Sequence, residues 1–293
     1  MRHRIGILVL AVLAVIPVAG CSRVSDRTGS DATQLITADY GETPIATDGL
    51  RAGQSVMDGL RATHTIETGF GGGFVASIDG RASETNPARD WLYFVNGIGA
   101  TRSAQEITVR AGDRIWWDHR EWQGHPTASA VVGSWPQPFV SGYTTKPQSV
   151  SADAPLDEAL RQQDVNVVTG ESAWRVRVGA NDALVKRDPA WRRATAASDS
   201  ELVARIQGGR VEVIDRKGEW VAVPDGRAIA VAVITGTTAD DGGVLLAVAG
   251  ITRTDAERAA QTIADKPDVL AGRFAVAFDA AGTPTATAGW ANP

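Results

Sequence analysis

Two kinds of side chain in this sequence are placed to do chemistry: a lone thiol near the start and a concentration of indoles in the middle. Cys21 is the only cysteine. It follows Val18-Ala19-Gly20, and Met1-Arg2-His3-Arg4 leads into an apolar run from Ile5 to Val18. A basic start, an apolar stretch too short to span a bilayer comfortably, and small residues at its end make the pattern of a secretory signal. A thiol at that place is the nucleophile to which a diacylglycerol is attached. Cys21 is therefore expected to become the acylated N-terminus of an exported protein held on the lipid bilayer, at the extracytoplasmic face of the cell membrane. Each buried methylene of an acyl chain gives about 0.8 kcal/mol, and stable anchoring takes more than one chain. With a single cysteine, no disulfide forms within the chain and no cysteine cluster holds a metal.

The ending Val-Ala-Gly-Cys resembles a bacterial lipobox. The indoles are the second feature. Trp91, Trp116, Trp117, Trp122 and Trp135 put five of the nine tryptophans between residues 91 and 135. Residues 114–122 read as a strand, where side chains alternate between faces. Ile115, Trp117 and His119 then point one way, and Trp116, Asp118 and Trp122 the other. Both faces carry tryptophan. One must be core; the other is either covered by the rest of the chain or open as an interaction surface, since large exposed apolar patches mark such sites. Flat rings suit flat ligands, and Phe74, Trp91, Tyr93, Trp117 and Trp122 are the candidate ligand contacts.

Other chemistry is thin. His119 and His125 lie near Asp118 and Glu121, but the spacing follows no known grammar of metal ligands, so no metal is expected. No G-x-S-x-G elbow, P-loop or H-E-x-x-H occurs. Gly69 to Gly73 lacks the G-x-G-x-x-G spacing and precedes a strand instead of a helix, which argues against a phosphate cradle. No nucleophile and base pair up on the sequence, so neither an enzyme nor a cofactor is expected. The net charge is −5, the pI is about 5.4 and no run of Lys or Arg occurs, so nucleic acid is not the expected partner. A content of 43% hydrophobic and 22% charged residues is that of a folded, globular chain.

The elements that must position the rings follow from patterning. Residues 1–20 are the signal, and 21–33 are a polar tether. Residues 34–123 form a first domain. It opens on a strand, has a helix capped by Ser55 and Asp58 with Val56, Met57 and Leu60 on its apolar face, and continues in strands. These include 64–68, 74–78, 91–95 ended by Asn96-Gly97, 107–109 and 114–122. Residues 124–150, rich in Pro and Gly, wrap the first domain and lead on. Residues 151–293 form a second α/β or α+β domain. Its strands are expected at 174–179, 228–234, 244–248 and 274–278, with a hairpin at 211–223. One helix is expected over 181–194 and another opened by Thr254 and Glu257. The segments RVRVGANDAL and LLAVAGITRTDA share a strand–glycine–helix grammar, which fits either a duplicated unit or the ordinary form of β–turn–α connections. The fold class is α+β.

The ordered elements Gly73-Phe74-Val75-Ala76-Ser77-Ile78-Asp79-Gly80, Trp91-Leu92-Tyr93-Phe94-Val95-Asn96-Gly97 and Gly112-Asp113-Arg114-Ile115-Trp116-Trp117 carry a resemblance. With the helix at Val56 they cover residues 35 to 123. This stretch resembles the carboxy-terminal β domain of transcobalamin and intrinsic factor. It is closer still to a bacterial transcobalamin-like domain of unknown function found in exported proteins. The resemblance implies a small β-grasp-like sheet domain of a kind that binds soluble ligands. In the vitamin carriers it closes over cobalamin held by a large α-helical barrel, and no such barrel is visible in this sequence. Two functions are expected from these readings. The first is a tethered module that captures a small planar ligand, a corrinoid among the candidates. The second is a cell-envelope interaction or scaffold lipoprotein whose indoles are buried against its own domains or a protein partner.

Overall fold

The structure is a computed structural model and describes residues 31–196, 201–236 and 242–290. The signal at 1–20, Cys21 and the tether up to residue 30 lie outside the described residues. The chain is α+β, and its first sheet follows from strongly apolar, β-branched and aromatic strands. Its early elements are β1 (Ala32–Ala38), β2 (Thr43–Leu50), α1 (Val56–Thr63), β3 (Ile66–Gly69), β4 (Phe74–Ile78) and β5 (Arg81–Ala82). β6 (Glu84–Thr85), β7 (Ala88–Val95), β8 (Ile98–Gly99) and β9 (Arg114–Glu121) complete it. The strand order is β2-β1-β9-β7-β6, with β8 also on β7, while β3, β4 and β5 form a small separate sheet. β1 and β9 are parallel, so a central pair joins residues that are far apart in sequence. β9 is buried on both faces from Ile115 to Arg120.

α1 begins as expected. Ser55 Oγ accepts the Asp58 N–H at 3.0 Å, satisfying one of the orphan donors of the first turn. Residues 107–109, expected as a strand, instead run beside the segment leading into α1. They make only an isolated bridge, Thr108 to Ser55, with Val56 N–H donating to Ile107 O.

The second half holds β10 (Val150–Ala152), α2 (Leu156–Arg161), β11 (Val167–Val168), β12 (Arg175–Ala180), α3 (Asn181–Arg187), α4 (Pro189–Ala196) and β13 (Ala204–Gln207). It continues with β14 (Arg210–Ile214), β15 (Trp220–Ala222), β16 (Ala228–Ile234), β17 (Val244–Gly250), α5 (Arg253–Asp265), β18 (Val276–Phe278) and β19 (Pro284–Thr287). The main sheet has the order β11-β10-β12-β17-β16-β18-β19. The two strand–glycine–helix segments are its neighbours β12 and β17, paired in parallel from Arg175 and Leu245 to Ala180 and Gly250. The single helix expected over 181–194 is two. Pro189 disfavours helical geometry at Asp188, and the Asp188 carboxylate caps the second helix by accepting the Ala190 N–H at 2.9 Å. The cap of α5 lies two residues before the expected one. Thr252, not Thr254, closes a reciprocal box with Asp255.

Both apolar cores draw on both halves of the chain. On one face of β9, Trp116 packs edge-on to Phe274, which also meets Tyr40 and Phe94. Gly133 permits this approach: a Cβ there would lie 2.5 Å from Arg273 N and 2.8 Å from the Trp116 ring. The two ends of the described chain also meet. Glu42 accepts from Arg273 at 3.1 Å and from the Thr287 hydroxyl at 3.0 Å.

A charged clamp ties the end of α1 to β2 and to the turn after β4. His64 faces Asp48 through Nε2 at 2.8 Å and Asp79 through Nδ1 at 2.6 Å. Burial pulls the His64 pKa down, but the two carboxylates outweigh it and leave it above 6.5. Burial alone would raise Asp79; His64 and the Thr65 N–H hold it below its ordinary value. The histidine's contribution to stability is therefore complete below its unfolded pKa of about 6.5 and fades as pH rises through the folded value. The Asp79 contribution has the opposite sense and fades only on strong acidification. His64→Gln should accordingly weaken the fold more near pH 5 than near pH 8, about where imidazole is charged and neutral. Chemical denaturation at the two pH values checks this, and an equal loss at both would contradict it.

Candidate functional site

The Asn96-Gly97 pair, with φ of 55° and 82°, turns β7 back onto β8. On its other side β7 pairs antiparallel with β9, placing Tyr93 opposite Trp117 and Trp91 opposite His119. Tyr93 and Trp117 stack with centroids 4.7 Å apart and planes at 27°, and Trp91 lies 4.9 Å from the His119 ring. Such pairs add about 0.5–1.5 kcal/mol beyond their burial. The Trp91 indole donates to Arg81 O at 2.8 Å, and the Tyr93 hydroxyl donates to Arg102 O at 2.6 Å. Burial pushes the Tyr93 pKa far above the usual phenol range, so this wall presents neutral rings.

Beside this wall is a cleft of about 650 Å³. Phe74, Trp91, Tyr93, Trp117 and Trp122, the candidate contacts from the sequence, all border it. The structure thus brings the five together, although Trp91 and Trp117 are themselves only 3% and 2% exposed. Trp122 is 42% exposed. It sits one residue beyond β9, held by its indole N–H to Asp90 at 2.7 Å. The remaining indoles of the group, Trp116 and Trp135, are buried, so most of the ring surface is covered by the chain itself. The lining takes residues from both faces of the sheet, Tyr93 and Trp117 from one and Phe94 and Arg120 from the other. The cleft therefore runs past the outer edge of β7. Its far side includes Ala128, Ser129 and Ile234, the last from β16.

Arg120 was not singled out from the sequence. It is 2% exposed, with its guanidinium over the rings of Tyr40, Phe94 and Phe274 at 5.6, 5.3 and 5.0 Å. Its Nη1 contacts Asp118 at 3.4 Å and its Nη2 donates to Thr127 O at 3.2 Å. Burial lowers its pKa and Asp118 opposes that shift. The available signal was the Asp-x-Arg spacing, which puts two opposite charges on one face of an otherwise apolar strand. Ile234 had no such signal, because it reaches the cleft only through the packing of the second sheet.

The histidine and carboxylate donors near residue 120 do not converge. His119 Nε2 lies 3.1 Å from Ala82 O, while His125 faces Glu121 at 3.2 Å. Burial first, then the charges of Arg89 and Arg81, lower the His119 pKa and keep the ring neutral. Among the described residues no group of three or more His, Cys, Asp or Glu side chains is placed to hold a metal ion.

Residues 53–121 match a family described as a domain of unknown function, DUF4430. The match runs from the approach to α1 through β9 and ends one residue before Trp122. Similar solved structures include a putative metal binding protein from Ruminococcus gnavus ATCC 29149. It is 16% identical over 32% of this chain and 98% of that one, with a TM-score of 0.27. Another is haptocorrin in complex with Cbi, 15% identical over 31% of this chain and 25% of that one, with a TM-score of 0.26. No curated protein matches the chain.

Proposed function

We propose that this protein is an extracytoplasmic lipoprotein, anchored through Cys21, whose β7 cleft captures a small planar organic ligand. One observation carries the binding reading: five aromatic side chains from β4, β7, β9 and the residue after β9 border a single cleft of about 650 Å³. That volume lies within the range of small-molecule sites, which are mostly apolar with a few polar groups. The anchoring reading rests on the basic, apolar and Val-Ala-Gly-Cys order of the first residues. Corrinoids are one class of planar ligand to be tried, and the reaction proposed is binding without transformation.

The test is intrinsic tryptophan fluorescence of the full chain in detergent, titrated with cobalamin, cobinamide and other planar cofactors. Saturable quenching is expected from at least one of them. Trp122→Ala should weaken that binding at least about fivefold while changing stability by no more than about 0.5 kcal/mol, as for an ordinary surface substitution. No quenching by any planar compound would remove the capture reading. Cys21→Ser should move the chain from the membrane fraction to the soluble one; unchanged fractionation would remove the anchor.

A second reading, the envelope interaction protein, is favoured by Phe70. This side chain is 94% exposed at the tip between β3 and β4, with φ of 50°. An open ring held in a sparsely populated backbone region suits contact with a protein partner.

A further inference from the structure

The cleft has a charge bias that its rings do not explain. Among the described residues its lining includes Arg120 and no Asp or Glu, in a chain whose net charge is −5. Arg120 is also poorly matched within the protein. A buried cation needs a closely bonded counter-charge, and the carboxylate it meets, Asp118, stands at 3.4 Å. The oxygens of Asp118 are already engaged by the Thr37 hydroxyl at 2.5 Å, the Gly41 N–H at 3.0 Å and the Tyr40 N–H at 3.2 Å. Among the described residues Arg120 Nε, a buried donor of a side chain that borders the cleft, has no acceptor. Native proteins leave few buried donors unpaired, and each such group calls for an explanation.

The geometry points to a planar aromatic carboxylate as the ligand of this cleft, with its ring against Tyr93, Trp91 and Trp122 and its carboxylate on the Arg120 side. This rests on the capture reading above and narrows it to a charge class. Rings bordering the cleft supply apolar area and offset stacking. The guanidinium supplies a fixed cation that is desolvated already, so its pairing with an incoming anion is stronger than at a wet surface. A neutral planar molecule would gain the stacking and leave the guanidinium as it is.

The test is isothermal titration calorimetry of the full chain in detergent with 2-naphthoate and its uncharged isostere 2-naphthamide. Naphthoate should bind about tenfold tighter, the margin of a charge-assisted over a neutral hydrogen bond. Arg120→Gln should bring the two affinities within about threefold of each other. Because that change leaves Asp118 buried without its ion partner, the double variant Asp118→Asn with Arg120→Gln is measured beside it, with circular dichroism as the folding check. Equal affinities in the unaltered chain would overturn the inference. So would a preference for naphthoate that survives in every folded variant. Binding of neither naphthalene compound, with quenching by a planar cofactor intact, overturns the charge class alone; absence of both removes the capture reading with it.

Discussion

Asp118→Ala should destabilise the protein by about 3–5 kcal/mol, the usual cost of removing one partner from a buried ion pair. Asp118 is fully buried in the middle of β9 and accepts from the Thr37 hydroxyl, two consecutive backbone N–H groups and Arg120. Those N–H groups belong to Tyr40 and Gly41, in a turn where Asp39, Tyr40 and Gly41 have φ of 59°, 61° and 84°. Left-handed geometry at two non-glycine residues is costly, and the carboxylate is what holds it. The turn has no slack, because a Cβ on Gly41 would lie 2.9 Å from both Gly272 O and the Trp116 ring. Truncation therefore releases the turn, strands the Arg120 charge and removes the acceptor of the Thr37 hydroxyl together. Urea unfolding followed by circular dichroism measures the loss. A change below about 1 kcal/mol, the scale of a surface pair, would mean that the network is not closed in solution.

Phe274→Ala should cost a comparable amount, about 3–5 kcal/mol for a large ring removed from a packed core. Phe274 is fully buried and stands edge-on to Tyr40, Phe94 and Trp116, with Arg120 over its face. All four partners belong to the first sheet or its turn, whereas Phe274 comes just before β18. The cavity thus opens at the seam between the two sheets. Thermal unfolding read by tryptophan emission should shift as one transition to lower temperature. Two separated transitions would show that the halves unfold independently and that this ring joins them only loosely. The same variant tests why Arg120 stays charged within the core, since it removes the nearest of the three ring faces that surround the guanidinium.

The aromatic wall was legible in the sequence because it depends on short-range rules. Period-two alternation separates Trp117 from Trp116, and Asn96-Gly97 marks the end of the strand that carries Trp91 and Tyr93. The Ser55 cap was legible for the same reason. β2 was not, since Pro44 and exposed Ile45 interrupt any clean alternation in a strand that takes its partner from one side only. The break before α4 lay in Asp188-Pro189, which a reading by apolar periodicity passes over. The true cap of α5 was hidden because Thr252 and Thr254 both satisfy a three-residue spacing to an acidic residue. What no local rule supplies is the pairing of the sheets. The cover over Trp116 comes from Phe274, and the far side of the cleft includes Ile234. Both depend on contacts between residues more than a hundred positions apart.

The double bond of Glu42, to Arg273 and to Thr287, has a bearing on how this polypeptide matures. The strand pair that begins the described chain is latched by side chains 231 and 245 positions further along, so a ribosome releases the lock well after the part it secures. Long-separation contacts of this kind slow folding and prolong the exposure of apolar edges. A version shortened before residue 273 would keep every ring of the cleft in its sequence and still lose the latch. Fragments cut for convenience at the boundary of the matched family would carry an uncovered Trp116 and a tendency to clump.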